Sequence, residues 1–223
     1  MRKSLFLAAA LAASAMLVLA PAGAALAAGK TDVLTTFKVG GPNVKSGAIL
    51  KAGLAKGKTA VFSTTLGTLT CSVSTFTARV VTNPAKPGTA TESITAQTFS
   101  KCKISVANVF ITGSSVGNLP YNASVSDAKG NPVKISGRNK TKPLLLSITV
   151  KVGSTGKPFT CSVKAASISG TWTNKGNATV FVKQKFVYAA GPKLFCPKSG
   201  TFSATYGPVK DTSVKGSPAV FVN

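Results

Sequence analysis

A strict two-residue alternation of apolar and polar side chains is the feature that most restricts the fold of this sequence. Between Leu144 and Val152 every second residue is a large aliphatic one, and the positions between them are Leu145, Ser147, Thr149 and Lys151. Side chains of a β-strand point alternately to the two faces of a sheet, so this pattern predicts a half-buried strand. The same period predicts strands in 60–65, 69–81, 91–99, 104–111, 121–125, 159–172, 179–188 and 202–206, and a less regular pattern predicts one in 48–55.

Clusters of turn-forming residues separate these segments. Residues 83–88, 127–132 and 174–177 are rich in glycine, proline and asparagine, and the last cluster predicts a hairpin turn. Many short strands separated by turns predict an all-β fold, and we expect an antiparallel β-sandwich. The chain length suits one large sandwich; the alternative is two small lobes joined through residues 126–142.

The chain has four cysteines, at Cys71, Cys102, Cys161 and Cys196. An even number of cysteines in an exported chain indicates disulfides, and four cysteines allow three connectivities. No Cys-x-x-Cys pair and no histidine are present, so a metal site built on these residues is not expected.

A faint internal duplication favours one of the three connectivities. Thr-Cys-Ser-Val occurs at 70–73 and again at 160–163. Each copy is followed by Gln-x-Phe, at 97–99 and 184–186, and then by another cysteine. The sequence therefore predicts two pseudo-duplicated halves, each with its own disulfide. The predicted disulfides are Cys71–Cys102 and Cys161–Cys196.

The first residues have the pattern of a secretory signal peptide. A basic start is followed by an apolar, alanine-rich run over 5–20 and by Ala-Leu-Ala at 25–27. We therefore expect a signal peptide at 1–27 and a secreted β-sandwich domain at 28–223. No second long apolar run follows, so we expect no transmembrane segment and an extracellular or cell-wall-associated protein.

The balance of charge is strongly basic. Twenty-seven lysines and arginines stand against four acidic residues, a net charge of +23, and residues 28–223 retain +21. This charge exceeds the roughly 2 to 8 units that solubility requires, which favours a polyanionic partner such as an envelope glycopolymer. Only Arg79 and Arg138 of the mature chain are arginines, so specific nucleic-acid recognition is not expected.

Two pairs of lysines are the candidate anion-binding residues. Lys183 and Lys185 share a face of a predicted strand, about 6 to 7 Å apart by strand geometry. Lys101 and Lys103 flank Cys102 in the same alternating manner. The alternative is that each is an ordinary solvated residue or an edge-strand lysine that blocks aggregation.

Missing residue types exclude most catalytic machinery. Without histidine there is no Ser-His-Asp or Cys-His arrangement and no histidine-ligated zinc. Of the four carboxylates, only Glu92 lies inside a predicted strand, and we expect it to pair with a lysine. Asp32, Asp127 and Asp211 are the others, and Asp127 and Asp211 lie in turn-like contexts. We therefore expect no catalytic residue, metal or cofactor. The alternative is an enzyme that uses Glu92 together with Asp127 or Asp211.

Four strings carry a resemblance that spans most of the mature chain. They are NPAKPGTATESITAQTF at 83–99, NLPY at 118–121, YGPV at 206–209 and GSPAVFVN at 216–223. The chain resembles a group of small secreted actinobacterial proteins, often labelled only as twin-arginine (Tat) pathway signal sequence domain proteins. The resemblance implies a Gram-positive extracellular setting and supplies no activity, ligand or catalytic residue.

The sequence thus favours a non-enzymatic, secreted, strongly basic β protein that associates with the cell envelope or with anionic polymers. A second hypothesis is a protein-interaction module, an adaptor or inhibitor, that uses an exposed strand edge or a loop patch. The sequence does not define the oligomeric state.

Overall fold

The computed structural model describes residues 30–223, which form fifteen β-strands and no helix. The signal peptide predicted at 1–27 lies outside this part of the chain. This part of the chain contains no helix that could span a membrane. The strands are β1 (Leu34–Thr36), β2 (Ile49–Gly53), β3 (Ala60–Thr64), β4 (Gly67–Thr82), β5 (Thr89–Ile104), β6 (Val109–Gly117), β7 (Tyr121–Ser126), β8 (Pro132–Ser136), β9 (Leu144–Val152), β10 (Phe159–Ala165), β11 (Ser167–Thr173), β12 (Ala178–Ala190), β13 (Ser199–Tyr206), β14 (Lys210–Asp211) and β15 (Val220–Val222).

Eight of these strands close into an antiparallel barrel. Their order around the barrel is β12, β11, β8, β7, β5, β4, β3, β13 and again β12. The hairpin between β11 and β12 makes the closing contact, with Thr171 opposite Val180 and Thr173 opposite Ala178. The all-β, antiparallel prediction is confirmed, but the sandwich is wrong. Inward and outward residues alternate in both architectures, and only this pairing of the two sheet ends distinguishes them.

A three-stranded extension of β10, β9 and β6 branches from the barrel wall at β12. β11 pairs with β12 at residues 178–180, whereas β10 pairs with it at 187–190. Residues 181–186 of β12 therefore have no ladder partner on that side, and we call this interruption the fork. At its far edge the extension returns to β5, because the Ser114 hydroxyl donates to the carbonyl oxygen of Phe99.

The two ends of the described chain meet beside the barrel. β1 pairs with β15, and β2 joins β14 to β4. Asparagine side chains tie these segments down: Asn83 donates to the carbonyl oxygens of Leu34 and Val44, and Asn177 donates to that of Val220. Buried aliphatic residues of these segments extend the hydrophobic core.

Both predicted disulfides are confirmed. Cys71 and Cys102 face each other on the neighbouring strands β4 and β5. Cys161 of β10 is joined to Cys196, which lies in the loop between β12 and β13. Each closes a loop of about 30 residues and stabilises the fold by about 3 to 4 kcal/mol on the loop-closure account. The second disulfide fixes residues 191–198, which contribute to a cavity described below.

The strand predictions are correct in most places and fail where the chain turns without a strong turn signal. The strand predicted at 144–152 is β9, and 48–55 contains β2. The prediction of one strand over 104–111 is wrong, because the chain turns after β5 and Asn108 takes a φ of 58° before β6. The prediction over 159–172 is also wrong, because Ala166 separates β10 from β11.

Residues 126–142, which would connect the two lobes in the two-lobe alternative, form part of the barrel wall. Residues 126–142 contain β8, which pairs with β7 and β11 inside the barrel wall. Gly130 and Asn131 lie in the turn of the β7–β8 hairpin, Pro132 begins β8, and Gly137 and Asn139 follow it.

The close packing of neighbouring atoms around Gly200 can be tested by adding a side chain there. A Cβ atom added to Gly200 of β13 would overlap the carbonyl oxygen of Ser63 and the ring of Phe186. We expect Gly200→Ala to lower the free energy of unfolding by about 2 kcal/mol, because the ring has to shift. Gly113→Ala is the matched control, since its Cβ would lie 3.8 Å from Thr149. Urea unfolding with intact disulfides measures both, and equal stability of the two variants would contradict this packing.

Candidate functional site

The structure places all four candidate anion-binding lysines on the outer surface of five consecutive strands. Lys101 and Lys103 lie on β5, Lys183 and Lys185 lie on β12, and all four are exposed. The strands β4, β3 and β13 lie between these two edges. We call this surface the lysine-flanked face.

The strand register connects the two lysine pairs. Lys103 is opposite Thr70, Thr70 is opposite Val61, and Val61 is opposite Ser203. The Ser203 hydroxyl in turn accepts a hydrogen bond of 2.8 Å from the backbone N–H of Lys183. This row crosses four strand spacings, which is about 19 Å.

A second row runs beside the first. Thr68 is opposite Ser63, Ser63 is opposite Thr201, and Thr201 is opposite Lys185. The side chains of both rows point to the outside of the barrel, because the residues that alternate with them along each strand point inward and are buried. The face therefore presents serine and threonine hydroxyls bordered by ammonium groups. On the same strands, Phe62, Leu69 and Phe202 point to the opposite, inner side of the sheet.

The spacing expected within the β12 pair does not follow from regular strand geometry. The register shifts between Phe181 and Gln184, where β12 has one residue more than β13 opposite it. Lys183 lies in this bulge with a φ of 47°. The two-residue repeat that gave the expected 6 to 7 Å is therefore interrupted, although both lysines remain outside the barrel.

The acidic residues do not converge. The Asp127 carboxylate accepts hydrogen bonds from the Gly88 N–H, and the Asp211 carboxylate accepts one from the Ser213 N–H. Glu92 lies inside the barrel. Within residues 30–223 no salt bridge joins a lysine or arginine to a carboxylate, so the ion pair predicted for Glu92 is wrong. The pair of carboxyls that the enzyme hypothesis requires is not formed here.

Glu92 and Asp211 are the two buried carboxyls among the described residues, and Asp211 differs because it accepts a hydrogen bond from the Ser213 N–H. Glu92 lies on β5 between Val80 of β4 and Ala123 of β7, and 8% of its surface is exposed. Its Oε1 atom has no hydrogen-bond partner among the described residues. Burial in these apolar surroundings raises the pKa of Glu92 to about 7. The carboxyl is therefore largely protonated in mildly acidic solution.

Glu92 lines a cavity of about 130 Å³ inside the barrel, which we call the barrel cavity. Aliphatic and aromatic side chains make up most of its wall, and a few polar residues interrupt it. The polar residues of the wall are Glu92, Gln97, Tyr121, Thr179, Gln184, Lys185 and Tyr206.

Four other polar side chains of this wall differ from Glu92 because they have hydrogen-bond partners within the protein: Gln97, Tyr121, Gln184 and Tyr206. Gln97 donates to the hydroxyl oxygens of Ser74 and Tyr206, at 2.9 and 3.1 Å. Burial also raises the pKa of Tyr206 to about 12, so its hydroxyl stays protonated. At the fork, the Gln184 side-chain oxygen accepts a 2.6 Å hydrogen bond from the Ser169 N–H. Among the residues that the structure describes, Glu92 Oε1 is the fully buried side-chain polar atom without a partner.

A second cavity of about 280 Å³ lies between the barrel and the extension, and we call it the outer cavity. Its wall is apolar, and Phe62 and Phe186 line both this cavity and the barrel cavity. At its rim Leu194 is 82% exposed and Phe195 is 59% exposed. Both belong to the loop that the Cys161–Cys196 disulfide fixes.

Sequence reasoning missed both cavities, although one signal pointed to the first of them. The two Gln-x-Phe copies, at 97–99 and 184–186, provide Gln97, Phe99, Gln184 and Phe186, all of which line the barrel cavity. The faint duplication therefore identified residues of the interior. It did not indicate that their strands enclose a space.

The Glu92 carboxyl gives a pH test that the absence of histidine makes unusually clean. Its pKa is about 7 in the folded state against 4.5 for an exposed glutamate, so the stability that it contributes below pH 4.5 is lost as the pH rises through 7. This loss corresponds to about 3 kcal/mol. We expect Glu92→Gln to remove most of this difference, measured as unfolding free energy in urea at pH 4.5 and pH 8.

Asp127→Asn is the matched control for the loss of a carboxyl, because Asp127 lies outside the barrel and bonds a backbone amide. It should preserve the difference between the two pH values. If Glu92→Gln preserved that difference as well, Glu92 would not be the titrating group.

Comparison of the chain with protein-family profiles, with curated proteins and with solved structures finds no match in any of the three.

Proposed function

We propose that this protein is a non-enzymatic, secreted, basic β protein that associates with anionic polymers of the cell envelope through the lysine-flanked face. One observation carries the proposal: four lysines border a single outer face of the sheet, and the two rows that cross this face contain serine and threonine hydroxyls and no carboxylate.

The charge of the protein is available to a partner. No salt bridge neutralises a lysine or arginine within residues 30–223, and that region carries a net charge of +21. The buried Glu92 subtracts little from the surface potential at or below neutral pH, because much of it is protonated. A field of this size attracts polyanions over a distance that depends on salt.

The width of the face favours a polymer over a small anion. The two lysine edges are about 19 Å apart, whereas the Debye length at 0.1 M salt is about 10 Å. A small anion bound at one edge is therefore only weakly attracted by the lysines of the other edge. An extended chain with repeated phosphates or carboxylates contacts both, and the intervening threonine and serine hydroxyls can hydrogen-bond to its oxygen atoms.

The side-chain chemistry favours salt-sensitive contact without strict geometry. Lysine presents a compact, strongly hydrated charge, and it lacks the two-pronged geometry of arginine. The two disulfides suit an oxidising extracellular compartment. With the resemblance to small secreted actinobacterial proteins, these properties support the wall of a Gram-positive cell as the setting.

A protein-interaction module is the second candidate, and the exposed Leu194 and Phe195 favour it. The two candidates differ in their response to salt. Charge-driven association weakens as salt rises, whereas contact through an apolar rim persists in 1 M salt.

Charge-neutral variants test the proposal. The variant Lys101→Gln, Lys103→Gln, Lys183→Gln, Lys185→Gln should bind long-chain polyphosphate and purified teichoic acid about 30-fold more weakly at 50 mM salt, from about 0.5 kcal/mol per contact. Binding is measured by titration calorimetry at 50, 150 and 500 mM salt, and the affinity of the unaltered protein should fall across the series.

The matched control removes four exposed lysines from turns outside the face, as Lys129→Gln, Lys140→Gln, Lys175→Gln and Lys215→Gln. It loses the same charge and should bind several-fold better than the face variant. Equal losses would show that the face has no special role, and no binding at 50 mM salt would overturn the proposal.

A further inference from the structure

We propose that the barrel cavity binds a small, neutral cyclic molecule of about six to eight non-hydrogen atoms, whose oxygen acceptor accepts a hydrogen bond from the carboxyl group of Glu92. This ligand site lies on the opposite side of the sheet from the lysine-flanked face. The inference is independent of the function proposed above.

The unsatisfied carboxyl is the first observation behind this site. Glu92 is inside the barrel, its Oε1 atom has no partner, and its strand neighbours are Val80 and Ala123. A buried polar group without a partner costs about 1 to 3 kcal/mol, and such groups are rare in native structures. A ligand oxygen that accepts the carboxyl proton would recover part of this cost, since a protonated carboxyl has one O–H donor.

The size and lining of the cavity define the rest of the ligand. Its volume is about 130 Å³. An apolar cavity of about 150 Å³ stays dry and binds benzene, so a single six-membered ring fits this space. Trp172, Phe181 and Phe202 are among the aromatic residues of the wall, and they offer dispersion contacts to such a ring.

Electrostatics favour a neutral ligand. The net charge of +21 over residues 30–223 repels a cation before it reaches the barrel. The mostly apolar wall disfavours any ion, because an ion that leaves water for such surroundings loses its hydration. Besides Glu92, the titratable groups of the wall are Lys185, Tyr121 and Tyr206. Burial keeps the two tyrosine hydroxyls protonated by raising each pKa above its ordinary value.

The fork brings the cavity close to solvent. Lys185 lines the cavity and is itself exposed, and it lies in the part of β12 that lacks a ladder partner on one side. The Gln184 side chain bridges this interruption by its bond to the Ser169 N–H. A small molecule therefore has a short path to the interior at this point.

The only tryptophan of the chain, Trp172, provides the readout. It lines the barrel cavity, is 4% exposed and does not line the outer cavity. The full folded chain is titrated with cyclohexanone and with methylenecyclohexane, which has the same shape and no oxygen acceptor. At pH 5.5 the fluorescence change should give cyclohexanone about tenfold tighter binding, the value of one hydrogen bond.

The pH dependence and two variants separate this site from nonspecific uptake. The preference for cyclohexanone should be lost at pH 8.5, where the carboxyl has no proton to donate. Glu92→Gln retains an N–H donor, so its preference should be present at both pH values. Glu92→Leu should bind both molecules equally. Urea unfolding confirms that each variant is folded, and Glu92→Gln alone still decides the outcome if Glu92→Leu does not fold.

Equal binding of the two molecules at pH 5.5, or no fluorescence response to either, would overturn the inference. So would a preference in Glu92→Gln that still disappears at pH 8.5. The Lys101→Gln, Lys103→Gln variant of the outer face keeps Lys185, which lines the cavity, and should bind cyclohexanone like the unaltered protein. Failure of polymer binding and failure of this site are therefore distinguishable.

Discussion

The pairing of β11 with β12 is the contact on which the rest of the structure depends. Three residue pairs, from Thr171–Val180 to Thr173–Ala178, join the two ends of a sheet that would otherwise have open edges. Closure separates an interior from an exterior. It thereby isolates Glu92 from water, raises its pKa, and assigns every second residue of β3, β4 and β13 to an outer surface. Because β10 takes over from β11 along β12, the wall also acquires the fork.

Part of this arrangement is readable from the sequence. Alternation predicts strands because it reports which side chains share a face, and the repeated Thr-Cys-Ser-Val and Gln-x-Phe strings gave the correct disulfides. Alternation does not report which strands are neighbours, so closure and both cavities were not predictable. The bulge at Lys183 was equally hidden, since a lysine gives no signal for positive φ. The inward position of Glu92 was predictable from the sequence, because Ala90, Glu92 and Ile94 are alternate residues of one strand and point to the same face.

The two proposed sites use the same strands, and Lys185 is the one residue named in both. On β12, Lys183 and Lys185 face solvent, whereas Phe186 is buried in the wall between the two cavities. On β13, Ser203 lies in the hydroxyl row and Phe202 packs inside. The pleat of the sheet thus separates a surface suited to long charged chains from an interior suited to one small neutral molecule. Apart from Lys185, no residue named on the outer face lines the barrel cavity.

The exposed apolar rim at Leu194 and Phe195 acquires a further meaning beside the uncompensated charge. Such a rim on a neutral protein would promote self-association. Here each copy carries the same large positive charge, and mutual repulsion keeps copies apart in dilute salt. Under the proposed binding of a polyanion, neutralised lysines would no longer repel one another and neighbouring copies would approach. The hydrophobic rims would then meet when the protein is crowded on a polymer, and not when it is free in solution.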